Sequence, residues 1–506
     1  MTAPVPPAPE EGRRARGRVD HAAALGTRPV GRLLVSTSAH TTMSVATFGV
    51  YALTNALFVA RGVGPEALVA VNVVAPVLLV LGAVSTTVGV GGASMVSRGL
   101  GAGDPRRAAR AAGNAFLVYW TSAALITVAG LLLLDPLLTL LGARGEVRGH
   151  ARDFATIVLA GSITATGFSS LVRAEGRLRF STSLWVLPVL CQIVLDPLLI
   201  LGLGWGVRGA ALGTVGGQAV SMGMSLWFFF LQRDRPYRIG LADLRPHGPT
   251  LRELVAVGAP SFLGGFGNTL VMLLVNSRLA ALGDPADLAA YATSVRVTTF
   301  VLMPQTGIAQ GIQPLVGYNV GRGLCQRAER VRVLALRATV LYGAAVCLGL
   351  LLLAEPLAAA FTDGPASGSG TGAATGPATV EALRVIALSY PLAGVAALIA
   401  TYFQANGRAR PSLVISLGSV LGVQLPVLLL LSLAGTPWLW TGFPLAALLS
   451  AAGAVAVLRR DGGGGRPRRG GGPGPRGRRP GPSPVPEAPG PGPGPGSTVR
   501  PAPCCP

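Results

Sequence analysis

The chain has 506 residues; half are hydrophobic, only 12% are charged, and the mean hydropathy is +0.54. A soluble chain would carry roughly twice that charge fraction, so the composition excludes an ordinary soluble protein and fits a polytopic membrane protein. The formal net charge of +21 is all arginine, since no lysine occurs, and its spread over short loops and a tail argues against nucleic acid as a partner.

In chain order, residues 1–32 are rich in Pro and Arg and lack an apolar core. They read as a disordered tail, not a cleavable signal. A helical span needs about 20 mostly apolar residues. Windows of that size predict twelve: 33–60, 66–97, 111–134, 153–172, 182–204, 208–231, 254–280, 288–318, 333–354, 379–402, 411–434 and 436–458. The second and eighth are long enough to imply tilt or overhang. The expected fold is all-α, with twelve transmembrane helices. Residues 233–253 form a polar, Arg-bearing connector between the sixth and seventh spans. From residue 459 the chain turns to low complexity, with 14 Pro and 14 Gly among residues 461–506. Such a segment buries no apolar area and reads as a disordered tail, 459–506. Its arginines suit anionic head groups, although a solvated tail without a specific partner is the simpler reading.

The chain repeats itself. Residues 91–108, GGASMVSRGLGAGDPRRA, align at an offset of 220 with residues 311–328, GIQPLVGYNVGRGLCQRA, pairing Gly101 with Gly321. The same offset carries Asp135-Pro136 onto Glu355-Pro356 and Leu68 and Ala70 onto Leu288 and Ala290. The register then slips to 231, so that Glu175-Gly176-Arg177 meets Asn406-Gly407-Arg408, which a small-residue insert near Gly364–Ala378 accounts for. With the amino terminus assigned to the cytoplasm, inward loops hold 18 arginines and outward loops 7. Positive-inside bias then puts both termini in the cytoplasm. Six spans per repeat means both copies enter in the same orientation, a parallel repeat of two six-helix bundles over 33–232 and 254–458, the arrangement of a two-bundle transporter.

Gly204-Trp205-Gly206-Val207-Arg208-Gly209 satisfies GxGxxG but joins two spans, whereas a dinucleotide site needs a strand before it and a helix after it. His21, His40, His150 and His247 are scattered, and Cys191, Cys325, Cys347, Cys504 and Cys505 show no CxxC spacing. Neither set suggests a metal, a disulfide framework or an enzyme.

One carboxylate falls well inside a span: Asp196, in LCQIVLDP, with Gln192 one turn earlier on the same face. A charge there costs at least about 2.5–3.5 kcal/mol, so it needs a polar cavity or a partner. The functional reading is a proton or cation site. The bland one is a helix-end carboxylate capping its neighbours, since Pro197, Gly202 and Gly204 follow. On the eighth span Thr306, Gln310 and Gln313 form a polar stripe with Arg296 before it. Together with Asn276 on the seventh span, Gln310, Gln313 and Arg296 are candidates for a substrate cleft. The stripe equally suits hydrogen bonds between helices.

Several motifs, in order and on these spans, resemble one family: Asn55-Ala-Leu-Phe58, Arg173-Ala-Glu175-Gly176, Gln192-Ile-Val-Leu-Asp196-Pro197, Trp205-Gly206, Gly258-Ala-Pro260, Gln310-Gly311-Ile-Gln313-Pro314 and Phe403-Gln404-Ala405-Asn406-Gly407. Over residues 33–458 the chain resembles the multidrug and toxin extrusion (MATE) transporters, in the flavour of their MepA-like bacterial branch. The resemblance implies two six-helix lobes flanking a central cleft in the plasma membrane. It also implies a drug or metabolite, often cationic, leaving in exchange for Na⁺ or H⁺, with no other cofactor. A monomer is expected. It further implies a coupling site in the amino-terminal lobe made by an Asp on the first helix, an Asn and an Asp four apart on the fifth, and a Thr on the sixth. Asp196 and Thr214 match; Gln192 stands for the Asn and Asn55 for the first Asp, which removes one of two carboxylates that could share a proton. Two rivals remain: a lipid-linked saccharide flippase, for which Arg296 is nearly the only mid-span cation, and a membrane scaffold using the tail.

Overall fold

The computed structural model describes residues 21–165, 168–232, 234–362 and 372–463. Residues 1–20, the greater part of the expected insert, and the tail beyond Gly463 lie outside the described residues. Every regular element among those described is helical: α1 His21–Thr27, α2 Val30–Gly62, α3 Pro65–Gly101, α4 Pro105–Leu132, α5 Leu134–Leu140, α6 Gly145–Ala160, α7 Ser169–Ala174, α8 Leu178–Pro197, α9 Gly206–Leu226, α10 Gly248–Leu282, α11 Pro285–Gly321, α12 Cys325–Thr362, α13 Gly372–Ala387, α14 Tyr390–Ala405, α15 Ala409–Leu417, α16 Leu425–Ser432 and α17 Thr436–Gly463.

Among the described residues, nine helices are long and apolar enough to cross a membrane, or up to eleven if α6 with α7 and α13 with α14 each count as one bent span. The remaining predicted span is α11. Its prolines and its polar residues Arg296, Gln305, Gln310 and Gln313 dilute its apolar character, and its end from Gly311 to Asn319 is wholly buried. Each of the twelve expected windows therefore falls on a helical rod, and the chain is an all-α polytopic membrane protein. α3 and α11 have 37 residues each, about 55 Å at 1.5 Å per residue, well beyond a hydrocarbon core of about 30 Å.

Two predicted spans are broken. The fourth bends by 49° between α6 and α7 and the tenth by 47° between α13 and α14. Freed backbone groups must find partners at membrane depth. Tyr119 Oη donates to the Ser162 carbonyl at 3.1 Å at the first break, and Gln305 Nε2 donates to the Tyr390 carbonyl at 2.8 Å at the second.

The two halves of the chain meet along α2 with α11, α3 with α10, and α3 with α11. Glycines make this contact. A Cβ on Gly101 would overlap the Tyr318 carbonyl, and one on Gly321 would overlap the Arg98 carbonyl. These contacts exchange under the 220-residue offset, so a pseudo-twofold axis passes between α3 and α11. Gly91 and Gly258 serve α3 against α10 in the same way, as Gly307 and Gly311 serve α2 against α11. Ser94 Oγ donates to the Gln404 carbonyl, and Arg98 Nη2 donates to Glu253 Oε1 at 2.8 Å, across the same seal.

The amino-terminal segment departs from the expectation of a disordered tail to residue 32. From His21 it is helical and seated under both halves, with Ala22 and Leu25 buried. Asn319 Nδ2 donates to the Leu25 carbonyl at 3.2 Å, and the His21 carbonyl sits on Gly176, whose φ of +79° suits a residue without Cβ. The last helix likewise overruns the expected boundary at 458: Arg408 pairs with Asp461 at 2.8 Å, which holds the final turn. The connector between the halves is strapped to the first half. Arg235 forms a fully buried ion pair with Glu175 and lies against the rings of Phe228, Phe229 and Tyr237. Asn114 Nδ2 donates to the Asp243 carbonyl and its Oδ1 accepts from the His247 N–H at 3.0 Å.

Candidate functional site

Asp196 lies one turn after Gln192 on α8, immediately before Pro197, which supplies no N–H. The helix beyond it widens into a single π-type turn, Leu198–Gly202, a feature that concentrates at functional sites. α9 packs closely on α8 because Gly209, Gly213 and Gly217 recur at i, i+4 and i+8 along the contact: side chains there would strike Leu199, Asp196 and Pro188. That approach brings Thr214 to the carboxylate, and α2 brings Asn55 from the other side.

All four sequence-predicted coupling residues therefore converge. Asn55 Nδ2 donates to Asp196 Oδ2 at 3.4 Å, Gln192 Nε2 donates to the same oxygen at 3.2 Å, and Gln192 Nε2 also reaches Thr214 Oγ1 at 3.4 Å. Thr214 Oγ1 donates to the Ala210 carbonyl at 3.0 Å. Asp196 has no exposed surface. Its other oxygen, Oδ1, has no hydrogen-bond partner among the described residues and faces Gly213. The carboxylate takes one side-chain donor from its own helix, Gln192, and one from α2, Asn55, and no backbone N–H is its partner among the described residues. That arrangement disfavours the helix-end capping role. A buried carboxylate with one oxygen unpaired is costly while charged. A proton on Oδ1 would neutralise it. A small cation would also do so, if the two amide groups turned their oxygens inward, an orientation that ordinary side-chain rotation allows.

Sequence reasoning missed Tyr51. Its hydroxyl lies beside Thr214 and Gln192, and its ring packs on Phe48 at 5.6 Å. The signal was available: Tyr51 precedes Asn55 by one turn on the same face of α2.

The cleft candidates do not form one group. Gln313 is buried in the seal, where its Nε2 donates to the Val90 carbonyl at 2.9 Å and joins the two halves. Gln310 is half-buried at the same level, and Asn276 is half-buried on α10. Arg296 is exposed on α11, above the seal.

The MatE family model matches residues 41–198 and 260–430. Among curated relatives, an FAD transporter of Shewanella oneidensis is 25% identical over 434 residues, covering 83% of this chain and 92% of its own. The multidrug export protein MepA of Staphylococcus haemolyticus is 27% identical over 402 residues, covering 77% of this chain and 85% of its own. Among solved structures, a MATE in complex with MaL6 superposes with a TM-score of 0.81 at 25% identity, over 87% of this chain and 98% of that one. An outward-facing multidrug resistance MATE transporter of the MOP superfamily gives 0.80 at 25% identity, over 88% and 98%.

Proposed function

The chain belongs to the MatE family of membrane transporters, and from that membership and the Asp196 site we propose that it is a secondary active exporter of organic solutes, driven by antiport with H⁺ or Na⁺. The observation that carries the coupling is the Asp196 carboxylate, fully enclosed and with Oδ1 unpaired among the described residues. The relatives' names supply the solute: an FAD transporter and a multidrug export protein both move organic molecules.

In this reading the lobes are 33–232 and 254–458, both termini are cytoplasmic, and the protein works as a monomer in the plasma membrane with no cofactor beyond the coupling ion. The seal at Gly101 and Gly321 is then the cytoplasmic side, and the cleft opens outward. A proton or Na⁺ from outside neutralises Asp196. The neutral site releases its hold on Gln192 and Asn55, which changes the packing of α2 against α8 and α9. Because α2 also lies along α11, that change biases the seal between the lobes. Inward opening admits solute; loss of the ion to the cytoplasm returns the protein to the outward form.

The test is solute efflux from proteoliposomes under separately imposed Na⁺ and pH gradients. One gradient should drive efflux, and Asp196→Asn should abolish that dependence while the protein remains folded. Parental gradient-driven rates in the variant would remove Asp196 from the coupling role.

A further inference from the structure

The four helices that face one another across the cleft carry few charges. α2 contains no Asp or Glu. α3 contains only Glu66, in its first turn. α10 contains only Glu253, engaged in the seal with Arg98. α11 contains only Asp287, in its first turn. Basic residues on these helices sit near the ends, at Arg32, Arg61, Arg98, Arg252 and Arg278, with one exception, Arg296.

Arg296 has a defined direction. On α11 it shares a face with Phe300, Met303 and Gly307, which follow at i+4, i+7 and i+11. That face meets α2: Phe300 and Met303 pack on Gly49, and Gly307 packs on Thr42. Arg296 therefore points toward the opposite half of the chain, about 16 Å above Gly307 at 1.5 Å per residue. At that height the Arg296 side chain is exposed. By the helical period Leu53 shares a face of α2 with Gly49, and Val80 a face of α3 with Gly91; these residues and Phe300 are apolar and exposed, at 57%, 52% and 47%. Among the described residues Arg296 has no ion pair and no hydrogen bond. Asp196 cannot serve as its counter-charge, because that carboxylate is fully enclosed by α2, α8 and α9.

Among the described residues these four helices offer one unpaired guanidinium and no carboxylate away from their ends and the seal; a cleft lined by them repels an organic cation and selects the opposite charge. We infer that the cleft binds an organic anion, an amphipath bearing a carboxylate, sulfonate or phosphate, with Arg296 as the counter-charge. The guanidinium fork matches such oxyanions in bidentate fashion, and the apolar walls take the hydrocarbon part. This inference rests on the transporter reading above and reverses the cationic preference that family resemblance implies.

The experiment is equilibrium binding to the purified full chain, without any gradient, by fluorescence anisotropy of carboxyfluorescein and of ethidium. Wild type should bind carboxyfluorescein at least tenfold more tightly than ethidium. Arg296→Gln should weaken the anion at least tenfold, Arg296→Lys should keep affinity within a few fold, and Arg296→Glu should invert the preference. Competition by dihexanoyl phosphatidylglycerol would place a lipid head group in the site, and competition by salicylate a soluble acid; either supports an anion site. Equal or tighter binding of ethidium, no binding of either dye, or an unchanged anion affinity in Arg296→Gln would overturn it. An uncoupled protein would still give the binding result, so failure of the antiport reading and failure of the anion site are separate readouts.

Discussion

Arg98 on α3 donates to Glu253 on α10 at 2.8 Å, and this ion pair crosses between the two halves of the chain at the end where glycines bring them together. Side-chain exposure is 13% for Arg98 and 33% for Glu253, so the pair is only partly shielded. Removing the Glu253 charge is worth about 1 kcal/mol after solvent screening, a shift of about fivefold in the ratio of sealed to opened forms. Spin labels on Arg179→Cys and Arg410→Cys, exposed at that end on opposite halves, should report more of the longer distance in Glu253→Gln on a cysteine-free background. An unchanged distance distribution would show that the glycine contacts alone hold the seal.

Those contacts make their own prediction. Gly101 against Tyr318 and Gly321 against Arg98 are one contact repeated by the pseudo-twofold axis. Gly101→Ala and Gly321→Ala should therefore open the seal to a similar degree. Overpacking of this kind costs about 1–3 kcal/mol, and the same label pair measures it. A large effect from one and none from the other would contradict the symmetry.

Asn114 fixes the connector between the halves through the Asp243 carbonyl and the His247 N–H. Asn114→Ala leaves these backbone groups without a protein partner, at about 1–3 kcal/mol. Limited trypsin digestion should then cut faster at Arg238 or Arg245, with thermal stability lowered. Digestion at the parental rate would mean that the Arg235–Glu175 pair suffices to hold the strap.

That pair and the adjacent Tyr237 give a pH prediction. Burial holds the Tyr237 phenol well above its ordinary value of 10.0. In the unfolded chain the phenol ionises near 10, whereas in the folded chain it stays protonated. Its contribution is therefore complete below pH 10 and is lost as pH rises beyond it. Between pH 10 and 11 the melting temperature of Tyr237→Phe should fall less steeply than that of wild type. Parallel curves would show that the phenol is not isolated from solvent. Glu175→Gln, by contrast, strips a buried Arg235 of its counter-charge and should cost about 3–5 kcal/mol at neutral pH.

How much of the site could be read in sequence depended on the range of the interaction. Asp196 stood out because a single carboxylate in an apolar run has no cheap local explanation, and Gln192 followed from the helical period. Asn55 and Thr214 came from family resemblance, since nothing local marks a Thr or an Asn in a membrane helix as belonging to a distant carboxylate. Tyr51 is legible by the same period as Gln192, although an aromatic residue on a span is too common to mark a site by itself. Gln313 was grouped with Gln310 and Arg296 by spacing, yet it bonds Val90 across the seal, because neighbours on one helix need not share an environment once two other helices pack on it. The bends at Gly161 and Ser389 were hidden for a related reason: the distant groups that satisfy the broken backbone, Tyr119 and Gln305, decide whether a break is tolerated.

By itself the sequence determined the all-α polytopic class, the helical windows, the 220-residue repeat and the one intramembrane carboxylate, since these follow from hydropathy, period and composition along the chain. Tertiary structure alone decided that repeated glycines face each other across the axis, that α1 is seated under both halves, and that, among the described residues, one oxygen of Asp196 is unpaired and the exposed Arg296 has no ion pair. Each of these depends on which surfaces of remote helices come within a few ångströms, and close packing sets that only once the whole bundle is assembled.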